Sequence, residues 1–384
     1  MSFTPAEKQA LISLRRELHQ HPELAWEERA THARLLKALG AAGITQVETV
    51  AVTGIVARIP GTRASAPTVA LRGDIDALPI TEETGLPFAS VTPGVMHACG
   101  HDMHATWAVG AAMLLAHKPA AGEVRIVLQP AEEVGEGAAR MLASGALDDV
   151  KVMFGGHVDW RFKVGEVVAS AGPLAASTDT FEITFTGKGG HGARPQDAID
   201  PIIGLSAFVM EAQTIVSRIL DPAAPGVVTV GSVTAGNASN VIPERARCSG
   251  TIRATTPVTR ALLCHEVERI ANAVAAVHRL AASVRITEGT PPLVNTAQGS
   301  AWAQQAVRAT LGESALRSLP TTNMGGEDFS YYLEKMEGCF MRIGTFSEGR
   351  SAGGVHTPRF DPDEEAIFVG ARVLAECARV ASAG

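Results

Sequence analysis

The chain has 384 residues, 46% of them hydrophobic, and a formal net charge of −7. That length calls for two domains rather than one core, and the composition excludes disorder. The acidic balance gives no electrostatic reason to expect nucleic acid or an anionic membrane as partner.

Thr4-Pro5-Ala6-Glu7 is a capping box with proline at the first helical position, and Leu11, Leu14 and Leu18 mark one face of a helix ending before Pro22. His19 and His21 at its end are read as structural or surface residues. The N-terminus, with Glu7, Lys8, Arg15 and Arg16, lacks the apolar core of a signal peptide. A second helix runs from Glu27 to Leu39 and stops at Gly40. Extended runs at Gly54–Ile59 and Thr68–Arg72 flank a Pro60-Gly61 turn. The second leads into Gly73-Asp74-Ile75-Asp76, where period-two spacing puts Asp74 and Asp76 on one side. A helix is expected over His104–Ala116. Its apolar run from Ala105 is too short to span a bilayer. Strands follow at Val124–Gln129, delivering Pro130-Ala131-Glu132-Glu133, and at Lys151–Phe154, ending in Gly155-Gly156-His157, with a helix at Gly137–Ser144 between them. Strands thus alternate with helices, and the chemically capable residues fall just past strand ends, where ligands sit in open parallel α/β sheets.

From about Thr180 the texture changes. Phe181, Ile183 and Phe185 alternate as in a half-exposed strand. A helix over Pro201–Ile219, strands at Val227–Val233 and Ala246–Ala254, a helix over Val258–His278 and a strand at Ala282–Thr287 complete a β-α-β-β-α-β order, the split βαβ sandwich. After Pro291-Pro292 the α/β texture resumes with a helix over Ala301–Leu311, a strand at Phe340–Ile343 and a C-terminal helix capped by Asp361-Pro362-Asp363-Glu364. The expected fold is α/β: a mixed or parallel-sheet domain formed by residues 1–179 and 291–384, with a ferredoxin-like (split βαβ) domain inserted at 180–290.

Cys99, Cys248, Cys264, Cys339 and Cys377 are odd in number and scattered, so no disulfide framework is implied and a cytoplasmic location is expected. Cys99 and His101 can face one ion if the backbone bends at Gly100. With Glu132-Glu133, His157 and His356 they make a donor set suited to Zn²⁺, Co²⁺, Ni²⁺ or Mn²⁺ rather than Ca²⁺ or Mg²⁺. Two ions sharing these donors need a bridge, from Cys99 or a water. Adjacent glutamates can divide labour, one binding metal and the other acting as general base.

Six motifs in order resemble the M20 metallopeptidase family: Arg72-Gly73-Asp74-Ile75-Asp76-Ala77-Leu78-Pro79, His97-Ala98-Cys99-Gly100-His101-Asp102, Gln129-Pro130-Ala131-Glu132-Glu133, Gly189-Gly190-His191-Gly192-Ala193-Arg194-Pro195, Gly325-Gly326-Glu327-Asp328-Phe329 and His356-Thr357-Pro358-Arg359-Phe360. The branch most similar comprises amidohydrolases that cleave N-acyl amino acids, such as hippurate hydrolases, bacterial aminoacylases and auxin-conjugate hydrolases. The resemblance implies two divalent metal ions per chain (Zn, Mn, Co or Ni). Cys99 would bridge them, His101 and His157 would complete one shell, and Glu133 and His356 the other. It implies Glu132 as general base, Asp76 orienting a metal-bound imidazole, and an inserted lid that dimerises. From that lid His191 and Asn240 would reach the reacting carbonyl, often of the neighbouring subunit, and Arg253 the substrate carboxylate. It also implies a homodimer or higher homo-oligomer. One stretch departs from the branch: Val158-Asp159-Trp160-Arg161-Phe162-Lys163-Val164-Gly165 replaces a proline-containing Val-x-Pro-x-x-Pro-x-Gly pattern. The expected activity is hydrolysis of an N-acyl-L-amino acid. The rivals are a dipeptidase or carboxypeptidase-like peptidase on the same scaffold, a Cys99–His101 nucleophile enzyme, and a non-catalytic small-molecule binding protein.

Overall fold

A computed structural model describes residues 2–349 and 353–383. The chain divides into two compact units, Met1–Gly172 with Asn295–Pro320 and Tyr331–Gly384, and Pro173–Val294 with Thr321–Ser330.

In the first unit the Thr4 capping box forms as the motif requires, with Glu7 N–H donating to Thr4 Oγ1 and Thr4 N–H donating back to Glu7. Helix α1 (Pro5–Gln20) and helix α2 (Arg29–Ala41) are followed by strands β1 (Val47–Val50), β2 (Gly54–Ile59) and β3 (Thr68–Asp74). Helix α3 (His101–His117) begins three residues earlier than the sequence suggests. The reason is Gly100, which takes φ +83° and turns the chain straight into the helix. A side chain there would be strained and would meet Val158 at 2.7 Å. Next come β4 (Val124–Gln129), α4 (Gly137–Ala143), β5 (Val150–Lys163) and the short β6 (Val167–Val168). Strand β5 is much longer than its apolar core implied, so His157 lies within it rather than past its end.

The second unit contains β7 (Asp179–Thr186), α5 (Pro201–Glu211), β8 (Gly226–Ala235), β9 (Arg245–Ala254), α6 (Pro257–Val277) and β10 (Ala281–Thr287). These strands form an antiparallel sheet in the order β8-β9-β7-β10, a ferredoxin-like arrangement. Phe181, Ile183 and Phe185 point from β7 into a core with Leu205 and Phe208 of α5 and Leu263, Val267 and Ile270 of α6. The expected long helix from Pro201 is interrupted: α5 stops at Glu211, and Ile215–Ile219 forms a separate π-helical turn. By length and composition the whole Pro201–Ile219 stretch is apolar enough to cross a membrane. Its inner residues, Leu205, Phe208, Ala212 and Ile215, are buried in this unit's core.

The chain re-enters the first unit with α7 (Ala297–Leu311), β11 (Leu316–Arg317), β12 (Glu337–Phe346) and α8 (Glu365–Ala383). The sheet there is mixed, in the order β1-β2-β4-β3-β5-β12-β6-β11. Its middle pairs, β4 with β3, β3 with β5 and β5 with β12, are parallel. Trp107 of α3 and the apolar side of α8 lie in its core, where Gly370 lets α8 approach the indole.

Candidate metal centre

The parallel strands end side by side, and α3 starts beside them. Cys99, in the loop before α3, stands at the middle of the resulting cluster. Its sulfur is 3.2 Å from His157 Nε2 on β5 and 3.2 Å from His356 Nε2. His101 Nε2 lies 3.7 Å from Glu133 Oε1 and 3.8 Å from Glu132 Oε2. Glu133 Oε2 lies 3.6 Å from His356 Nε2. Two donor groups overlap at the thiol, Cys99–His101–His157 and Cys99–Glu133–His356. All these residues belong to the first unit.

A metal fits this arrangement on two observations. Buried His101 Nε2 and Glu133 Oε1 face each other with no hydrogen-bond partner among the described residues, a costly pairing unless a cation lies between. Two nitrogen ligands at about 2.1 Å on a tetrahedral ion lie about 3.4 Å apart, which matches the spacing of the facing donor atoms.

The supports are built from the same unit. Asp76 Oδ1 is 3.1 Å from His101 Nδ1, and its Oδ2 accepts the Glu133 N–H at 3.0 Å, so one carboxylate ties a ring to the peptide of the neighbouring donor. His157 Nδ1 donates to the Val158 carbonyl at 2.7 Å. His356 adopts φ +62°, and its N–H donates to the Ala98 carbonyl at 2.8 Å. Burial pushes the Cys99 thiol well up, with Glu133 adding to it, and lifts Glu133 to about 7. Burial and the neighbouring His104 push His157 well down, which keeps its ring neutral as a ligand must be.

Several participants escape a reading of spacing alone. Asp74 forms a buried ion pair with Arg72 and accepts from His104 Nδ1 at 2.6 Å, while His104 Nε2 accepts the Val158 N–H at 3.0 Å. With Asp74 and His104 engaged in this way, they brace the metal loop rather than form a centre of their own. His19, one of two residues read as structural or surface, is structural: it is buried and 2.8 Å from Asp102, whose carboxylate also lies 2.9 Å from Arg15 Nε. Burial works to raise the Asp102 pKa, but Arg15 and His19 leave it strongly lowered. The departing stretch after His157 continues β5, with Asp159 binding Arg161 through two bonds of 2.9 and 2.7 Å.

His191, Asn240 and Arg253 belong to the second unit. His191 pairs with Val241 in a two-residue ladder, and Gly192 N–H donates to the Asn240 carbonyl at 2.8 Å, which sets His191 and Asn240 side by side. Both are exposed. The His191 Nδ1 accepts from Ala193 N–H at 3.0 Å, so a neutral ring carries its proton on Nε2. Arg253 is half-buried on β9, opposite Val227.

Residues 70–380 match the family described as Peptidase family M20/M25/M40. The N-acetyl-L-cysteine deacetylase of Bacillus subtilis is 39% identical over 99% of this chain and 89% of its own length. The IAA-amino acid hydrolase ILR1-like 2 of Arabidopsis thaliana is 40% identical over 96% of this chain and 84% of its own. Among solved structures, a dinuclear metal-binding M20 peptidase from Bacillus subtilis superimposes with a TM-score of 0.88 at 35% identity, covering 99% of each chain. With the sulfur, imidazoles and carboxylates gathered as described, the chain belongs to the M20 peptidase family and is a metal-dependent amidohydrolase or peptidase.

Proposed function

We propose that the protein hydrolyses the amide bond of N-acyl-L-amino acids, using two divalent transition-metal ions. The observation that carries this reading is the pair of donor groups overlapping at Cys99. Cys99 would be shared by the two ions, with His101 and His157 holding one and Glu133 and His356 the other. Bound there, such ions supply Lewis acidity and make water a nucleophile near neutral pH. Glu132 takes the proton from the attacking water and passes it to the leaving amine nitrogen. Asp76 holds His101 and the Glu133 peptide in register. From the ferredoxin-like unit, His191 Nε2–H and Asn240 donate to the carbonyl oxygen as charge develops on it, and Arg253 binds the substrate carboxylate. Relatives named as deacetylases of N-acetylcysteine and hydrolases of amino-acid conjugates support this substrate class.

The functional unit in this reading is a homodimer joined through the ferredoxin-like unit. Strand β8 is one edge of its sheet, and the adjacent helical stretch exposes Ile203, Met210 and Val216, with Val233 exposed on β8 itself. An open strand edge beside an apolar band is self-complementary under a two-fold axis.

The test is a chelated, metal-free sample assayed on acetyl-, benzoyl-, long-chain acyl- and aminoacyl-amino acids before and after metal addition. Activity restored by Mn²⁺, Co²⁺, Ni²⁺ or Zn²⁺ on the acyl substrates supports the reading. Preference for the aminoacyl substrates would favour the peptidase alternative, and full activity without metal would favour a Cys99 nucleophile.

A further inference from the structure

Glu28 is fully buried at the start of α2, where a carboxylate would ordinarily cap its own helix. It does not do so. That task falls to Glu23, which accepts the N–H groups of Ala30 and Thr31 at 3.1 and 2.7 Å. The Glu28 carboxylate turns away from its helix instead. Its Oε1 accepts the N–H of Trp26 at 3.0 Å and of Ala131 at 3.0 Å, and its Oε2 accepts the Thr53 hydroxyl at 2.7 Å.

Trp26 and Ala131 share an unusual backbone. Both are non-glycine residues in the left-handed region, at φ +68° and +54°, a conformation that L-residues keep only where their surroundings enforce it. Ala131 immediately precedes Glu132 and Glu133. Its carbonyl accepts from Gly137 N–H at 3.1 Å, and a side chain on Gly137 would collide with the Pro130 carbonyl. The turn that aims the two glutamates is therefore held at one end by Asp76, through the Glu133 N–H, and at the other by Glu28.

We propose that Glu28 is a positioning residue for the metal centre: by fixing left-handed Ala131 it sets the direction in which Glu132 and Glu133 project. This rests on the reading above, in which Glu133 holds one of the two ions. What the task needs is an oxygen at the right reach. Charge is not needed, and burial together with nearby Asp76 already disfavours it. Glu28→Gln keeps an oxygen that can accept the same two N–H groups. Glu28→Asp keeps the charge but is one methylene too short to reach both.

The experiment is a titration of metal-free protein with Co²⁺, followed by visible absorption, with the thermal midpoint of the metal-free protein as a control on folding. Wild type should take up two equivalents. Glu28→Asp should weaken one equivalent by about tenfold or more, the usual cost of losing a partner behind a ligand, and leave the other unchanged. Glu28→Gln should bind both within about twofold of wild type, because its amide oxygen replaces the carboxylate oxygen. Glu133→Gln separates the two layers of the argument. If it leaves both equivalents intact, the ligand assignment fails. If it weakens one while Glu28→Asp weakens neither or both equally, the positioning role fails. Should Glu28→Asp not fold, Glu28→Met takes its place, filling the volume with a side chain that offers no oxygen to the Ala131 N–H: weakening of one equivalent supports the role, and retention of both in folded protein overturns it.

Discussion

Around Cys99 the rings of His101 and His157 are buried, and each Nδ1 is already engaged, by Asp76 and by the Val158 carbonyl. Around His191 the ring is exposed, and its Nδ1 accepts from Ala193, two residues further along. The first region has arranged its donors in advance, at the cost of burying Arg15, Arg72, Asp74, Asp102 and His104 behind them. In the second, His191 and Asn240 stay open to whatever approaches. A metal site requires the first kind of order, because ligands must converge before the ion arrives. An exposed side chain outside that cluster is under no such requirement.

The largest expected effect lies in the organised region. Glu132→Gln should lower kcat by about 10²–10⁴-fold, the usual worth of a positioned acid–base group, with metal content unchanged. Glu133→Gln should lose metal instead. Metal analysis beside kinetics checks both, and exchanged phenotypes would reverse the two assignments.

Whether the open region works on a neighbour is read from mixed dimers. Homodimers of Glu132→Gln and of His191→Ala should each be nearly inactive. Random exchange makes about half the dimers mixed, and with His191 acting in trans one of their two sites is intact, so about a quarter of wild-type activity should return. Verified exchange without recovery would overturn the shared site.

The smallest effect expected is on stability. Arg15→Met leaves the buried Asp102 without its guanidinium partner and should cost about 3 kcal/mol in denaturant unfolding. Because Arg15 touches no donor directly, kcat of the folded variant should stay close to wild type. Unchanged stability would mean that the charges behind the metal loop brace nothing.

Local patterns made much of this legible. The alternation of Phe181, Ile183 and Phe185 and the β-α-β-β-α-β order specify the ferredoxin-like sheet, because a strand's period and a helix's caps are short-range facts. The donor residues were named from motifs, and folding places Cys99, His101, Glu133, His157 and His356 within one cluster. Long-range partners were not legible. Strand β5 runs on through His157 to Lys163 because β12, far along the chain, pairs with it in parallel. The β1–β2 hairpin went unseen because Ala51 and Val52 occupy its left-handed turn, at φ +47° and +69°, where glycine or asparagine would have signalled it. Glu28 gave no sign at all, since its significance lies in the N–H of Ala131, 103 residues away.

Anomalous diffraction from crystals grown with Mn²⁺ or Zn²⁺ would locate the ions themselves. Two metal peaks per chain are expected, both within bonding distance of the Cys99 sulfur (about 2.3 Å for zinc), with Glu133 on one ion and Glu132 on neither. A single peak, or two peaks bridged without Cys99, would contradict it.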